Sequence, residues 1–233
     1  MKSNHGVALF IMNVFLCVMF MIVNCYGADS IKEDDSKKFD VIEFGGHNWF
    51  VLDLQDDKAL ILTEKVIERR EYHHQETFTH ATWSECDLRK YLNTEFLETF
   101  SAEDRERILD TKVVTNDNQW FDKKGGEGTV DKVFLLSLEE VVKYFGDSGQ
   151  LKNIVKDNTN AIDVYFIRDQ YNKSRIAYDK EGRASLWWLR SPGSYANFPA
   201  HVYFDGGIYV GGGNVVGFIG GSSVRPALWL KIE

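Results

Sequence analysis

The sequence predicts an α+β domain, with short capped helices in the first half and a twisted antiparallel sheet built mainly from the second. Three observations carry this. Apolar runs of strand length, Phe39–Phe44, Asn48–Leu54 and Lys58–Thr63, are separated by Gly45-Gly46 and by Gln55-Asp56-Asp57, which reads as a meander. Thr82, Ser101 and Ser137 each stand three residues before an acidic side chain, the pattern of a capped helix start. The stretch from Ala184 to Leu230 holds all three prolines and the blocks WWLRSPG, HVYFDGGIYVGGG and VRPALWL, in which aromatic residues and glycines alternate as in short strands joined by tight turns.

Of the 233 residues, 44% are hydrophobic and 14% aromatic, enough for one well-filled core over residues 39–233. Residues 1–27 read as a targeting segment. Val7–Val23 is apolar apart from Asn13, and a cut after Gly27 would leave a mature chain. An uncleaved amino-terminal anchor is the other reading, and the only route by which a membrane is expected as a partner. Residues 28–38 (ADSIKEDDSKK) form a flexible charged stem.

Lys2 is the single charged side chain of the leader, so the mature part carries net charge −9 against −8 for the whole chain. Such a surface repels phosphate backbones, and nucleic acid is not an expected partner. Cys17 and Cys25 lie in the leader, which leaves Cys86 alone and excludes an intrachain disulfide. An exported chain with one cysteine fits a bacterial envelope better than a disulfide-built module.

In chain order, Val66–His80 is a polar surface loop. Thr82 opens a helix carrying Leu88, Tyr91 and Leu92, and Glu95–Phe100 adds a further helical turn. Ser101 caps a helix reaching about Asp110. Lys132–Leu136 reads as a strand and Leu138–Phe145 as a helix stopped by Gly146. Residues 147–182 give little signal, and Ala161–Arg168 fits a strand or a short helix. Leu186–Arg190 is a strand ended by Ser191-Pro192-Gly193. Ala200–Phe204 and Ile208–Val210 flank an Asp205-Gly206-Gly207 hairpin turn, and Val224–Ile232 is the last strand.

Candidate site residues come from this tail. Alternation sends Trp187 and Trp188 to opposite faces, one into the core and the other available as a stacking platform with Tyr203 and Tyr209. Arg190 and Arg225 lie in strand patterns and need partners there. Either they form structural ion pairs or carbonyl clamps, or Arg190 contacts a ligand. His73, His74 and His80 share a loop with Glu71 and Glu76 and are the weak candidates for a metal, although they lack helical i, i+4 spacing. Cys86 reads as a small buried side chain at a helix start. No Gly-x-Ser-x-Gly and no phosphate loop occurs, so no catalytic residue and no cofactor are expected.

Five blocks in order, WFVLDLQDDKALILTEKVI, TWSECDLRKYLNTEFLETFS, DKVFLLSLEEVVKYF, WWLRSPG and VRPAL, resemble a bacterial exported family known as domain of unknown function 6273. That family is in turn similar, more distantly, to the C-type-lectin-like fold of formylglycine-generating enzymes. The resemblance implies adjacent first and last strands, with Phe39–Phe44 or Trp49–Leu54 beside Val224–Ile232. The two active-site cysteines of the formylglycine-generating enzymes are not matched, since Cys86 stands alone. The Glu-Pro-Asn or Gln-Pro-Asp triplet of calcium-dependent sugar binding is also missing. The expected function is non-enzymatic recognition of a glycan or surface protein outside the cell or at its surface. An envelope hydrolase, metal-assisted through the His loop, and a purely structural envelope module are the opposing readings.

Overall fold

Two sheets divide the chain, and two strand pairs run from one into the other. The computed structural model describes residues 39–74, 81–153, 165–195, 197–214 and 222–232. The leader 1–27 and the stem 28–38 lie outside the described residues.

The first sheet is the expected meander. β1 (Val41–Phe44), β2 (His47–Gln55) and β3 (Lys58–Thr63) pair antiparallel in sequence order. The β1–β2 turn needs glycine, because Gly45 has φ +55° and a Cβ there would fall 2.2 Å from the Phe100 ring. The β2–β3 turn puts Asp56 at φ 43°, which a short polar side chain tolerates. β3 is buried along nearly its whole length, while β1 alternates between exposed and covered residues as an edge strand does.

The fourth strand of this sheet, β14 (Ala227–Lys231), comes from the carboxyl end and pairs antiparallel with β3, from Ala227 opposite Leu62 to Lys231 opposite Lys58. The expectation that the first and last strands adjoin is therefore corrected. β14 shares their sheet, but its ladder partner is β3, and β1 lies at the opposite edge. Two tight turns place β2 between β1 and β3. Only β3 then offers a free edge whose side chains are apolar enough to be covered.

The six-stranded sheet runs β4 (Glu68–Arg70), β13 (Ser222–Val224), β10 (Trp187–Pro192), β11 (Pro199–Val202), β12 (Ile208–Tyr209) and β7 (Phe166–Ile167). It is mixed rather than wholly antiparallel, because β10 and β13 pair parallel at Trp187 and Ser223. The stretch read as one final strand is two. Pro226 lacks an N–H and breaks the ladder between β13 and β14. The opposite chain bends at the same point, between β3 and β4. There Thr63 N–H donates to Pro226 O at 3.0 Å and Ile67 N–H to Val224 O at 2.9 Å.

Helix α1 (Asp87–Tyr91) runs into a wide turn over Leu92–Phe96; α2 (Ala102–Arg107) follows. The capping box expected at Thr82 does not form. Thr82 opens a tight turn through its carbonyl, and Cys86 is the cap, its sulfur accepting from Arg89 N–H at 3.4 Å. Ser101 caps α2 as expected. Helix α3 (Leu138–Phe145) has the complete box, with Ser137 and Glu140 reciprocally bonded.

The strand expected over Lys132–Leu136 does not form: Val133–Leu136 are buried but join no ladder, and Lys132 is half-buried. Phe134 makes a single bridge to Ala227, covering the outer edge of β14 together with an Ile108–Leu230 bridge. The polar loop after Val66 contains β4 and the buried Tyr72. Two short hairpins, β5 (Thr111–Val113) with β6 (Thr129–Asp131) and β8 (Ala177–Tyr178) with β9 (Ala184–Ser185), and the single turn α4 (Asn172–Arg175) complete the elements among the described residues.

Candidate ligand cavity on the six-stranded sheet

Strand register decides which side chains meet. Across β10, β11, β12 and β7 the direct partners Trp187, Val202, Ile208 and Ile167 form one row. Trp188, His201, Tyr209 and Phe166 form the next. Directly opposed residues share a face, and successive residues take opposite faces. Trp187 and Trp188 therefore part as expected. The first row is wholly apolar and 0% exposed, so it belongs to the core. The second row is ring-bearing, with a polar atom on every ring but that of Phe166. Trp188 and His201 meet edge-on at 6.0 Å, His201 and Tyr209 at 5.3 Å, and Tyr209 stacks on Phe166 at 4.5 Å.

This second row lines a cavity of ≈ 350 Å³, together with Phe198, Tyr203, Gly212, Gly213, Asn214 and Ser222. Three of the expected site residues, Trp188, Tyr203 and Tyr209, are thus brought together. The open platform expected at Trp188 is replaced by a buried wall. Its ring is 0% exposed, and its Nε1 donates to Arg70 O at 2.9 Å. Gly212 has to be glycine: its φ is +73° and a Cβ would meet Phe198 O at 2.4 Å. That lets the chain after β12 close against Phe198 and Pro199.

His201 lies at the centre of the row and is 1% exposed. Among the described residues neither ring nitrogen makes a hydrogen bond of good geometry, although the Pro199 backbone lies near enough to act on the ring. Burial lowers its pKa to about 4 against a smaller opposing pull from the Pro199 backbone, so the imidazole is neutral at pH 7. Ser222 lines the same cavity but makes no bond to His201, so no nucleophile–base contact exists there among the described residues. Among the described residues no charged side chain lines it. Larger hollows occur elsewhere. One of ≈ 450 Å³, between residues 116–120 and α3, has Trp120 as its single ring and a rim of Asp117, Lys143, Asp147 and Lys152. It brings together none of the residues expected for ligand binding.

The other candidates are placed apart from the cavity. Arg190 is 4% exposed and grips Glu140 with both terminal nitrogens, Nη2 at 2.8 Å, while also donating to Leu135 O and Val114 O. It locks β10 to the first turn of α3. Arg225 is 0% exposed, and of the two structural readings it takes the carbonyl clamp rather than the ion pair. Its Nε donates to Thr63 O at 2.9 Å and Nη2 to Glu64 O at 3.1 Å. The rings of Trp187, Phe50 and Phe145 lie 5.0–5.6 Å from it. Desolvation lowers its pKa to about 9.

His73 and His74 face different carboxylates, Asp87 and Glu71, each with Nδ1 at 2.8 Å. His80 lies outside the described residues. Among the described residues no cluster of three metal-ligating side chains occurs. Cys86 is fully buried and its thiol is pushed up to about 12 by burial.

Sequence reasoning missed His201, Phe166 and Phe198. His201 was within reach, since the alternation that separates Trp187 from Trp188 also isolates it between Ala200 and Val202. Its position opposite Trp188 depends on register. It also missed the buried pair of Arg175 and Asp169, at 2.9 Å, in the polar stretch before β8.

No curated protein and no solved structure matches the chain. A family model matches residues 56–232, which include β3, both strands of the crossing and every described residue lining the cavity, and by that match the chain belongs to the domain of unknown function family DUF6273.

Proposed function

We propose that this domain is a non-enzymatic recognition module of an exported or cell-surface protein, and that it takes a ring-shaped part of a glycan into the aromatic cavity. The observation that carries this is the Trp188–His201–Tyr209–Phe166 row, closed by Tyr203 and Phe198 around ≈ 350 Å³. Aromatic walls bind the C–H faces of sugars and other flat apolar surfaces. The finer likeness to the C-type-lectin-like fold is supported by the return of β14 to the sheet of β1–β3, though its partner there is β3.

The test is a glycan array probed with the full chain, repeated with Tyr209→Ala. Tyr209 is half-buried, so its truncation should leave a cooperative melt. Capture of a defined glycan set by the parent, lost in Tyr209→Ala, is the expected result. Capture unaffected by Tyr209→Ala, or none by a protein that melts cooperatively, would overturn the proposal.

A further inference from the structure

We infer that the cavity takes one uncharged pyranose ring and that His201 is its hydrogen-bonding anchor; this rests on the aromatic-cavity reading above. The argument starts from an unexplained group. A neutral imidazole carries one N–H donor and one acceptor nitrogen. Buried polar groups of this kind are nearly always paired, because an unmade hydrogen bond costs free energy. His201 is 1% exposed, and among the described residues neither nitrogen makes a bond of good geometry; the Pro199 backbone acts on the ring without completing one. A phenyl ring at that position would fill similar space without the penalty. The polar ring is thus kept at a cost to the fold, and it sits on the wall of a cavity.

The chemistry of the occupant follows from what surrounds the imidazole. Trp188, Tyr203 and Tyr209 crowd its ring at 5.3–6.2 Å, so the occupant has a flat face to set against aromatic rings. The described lining residues include no side chain that could neutralise a carboxylate, phosphate or ammonium group, and a charge carried in would be desolvated without compensation. One donor and one acceptor on the same imidazole suit a hydroxyl group, which is both. The volume, ≈ 350 Å³, lies near the small end of ligand pockets and suits one ring rather than a chain laid along a groove. The half-buried Phe166, Phe198, Tyr203 and Tyr209 and the exposed Asn214 form the rim, where a longer glycan would present its terminal residue.

The test titrates the full chain with the methyl glycosides of glucose, galactose, mannose and N-acetylglucosamine, and with glucuronate as the charged counterpart. The readout is the ¹⁵N resonances of the His201 ring. At least one neutral glycoside should move them, and glucuronate should bind at least tenfold more weakly than methyl glucoside. His201→Phe should weaken binding at least tenfold, and His201→Gln, which keeps a donor and an acceptor, should stay within about threefold of the parent. Binding undiminished in His201→Phe but lost in Tyr209→Ala would overturn the anchor while leaving the cavity reading in place. Binding retained in Tyr209→Ala would remove both. Glucuronate bound as well as the neutral glycoside, or no ring shift with any of the four, would also overturn the inference.

Discussion

Arg225 and His201 are two buried polar side chains with opposite roles. Arg225 holds the point where β3 and β14 leave one sheet and β4 and β13 enter the other, through Thr63 O and Glu64 O. Its partners are carbonyls and ring faces, not a carboxylate. Arg225→Met would leave both carbonyls without donors. Hydrogen bonds to a charged group contribute about 1.5–3 kcal/mol each, offset in part by relief of burying a charge, so a loss of about 2–4 kcal/mol is expected in urea unfolding. Arg225→Lys should recover little, since one ammonium cannot reproduce the planar fork. An unchanged midpoint for both variants would show that the clamp contributes nothing.

His201 makes stability depend on pH. Its folded pKa of about 4 lies below the ordinary 6.5, so the unfolded chain binds the extra proton. The contribution is complete above pH 6.5 and is lost as the pH falls from 6.5 towards 4. The shift sets a ceiling of about 3 kcal/mol on the effect. Melts between pH 4 and 7 should show this slope in the parent and a shallower one in His201→Phe. Parallel curves would mean that His201 titrates as an exposed histidine does.

At the scale of elements, helix α3 is tied to the sheet by its own cap. Glu140 closes the box through Ser137 N–H at 2.9 Å and also receives the Arg190 fork. Glu140→Gln would leave Arg190 buried without a counter-charge, and about 3 kcal/mol of destabilisation is expected by thermal or urea melts. Ser137→Ala should cost about 1 kcal/mol, the usual worth of a cap. If Glu140→Gln cost no more than Ser137→Ala, the ion pair would be contributing nothing beyond the cap. The β11–β12 turn is a second such element. Gly206 has φ +82°, and a Cβ there would fall 1.8 Å from Asn172 O. Gly206→Ala should cost at least about 2 kcal/mol. It should also weaken ligand capture, because the turn sets the register that puts Tyr209 beside His201.

At the scale of the whole molecule, the carboxyl-terminal strand is the closure. β14 pairs with β3 on one side and is bridged by Phe134 and Ile108 on the other. A chain ended after Val224 would expose the apolar edge of β3 and lose the Arg225 clamp. It is expected to show no cooperative melt. In the full chain the amides of β3 and β14 should exchange among the slowest, because they open only with the global fold. A truncated chain that still melted cooperatively would contradict this account of the closure.

What the sequence determined by itself was local. The three-stranded meander, the caps at Ser101 and Ser137, the hairpin at Asp205-Gly206-Gly207 and the separation of Trp187 from Trp188 all follow from alternation, turn chemistry and spacing within a few residues. Cys86, paired with nothing and buried, was legible in the same way. Register and crossover were settled only by the tertiary structure. Choosing β3 rather than β1 as the partner of β14 and setting Trp188 opposite His201 both depend on contacts between residues far apart in the chain. Their energies come from burying whole faces, and nothing in a short window of sequence records which distant face will be opposite. The cavity therefore appears only once four strands have taken their register, although three of its six rings, Trp188, Tyr203 and Tyr209, were visible one by one.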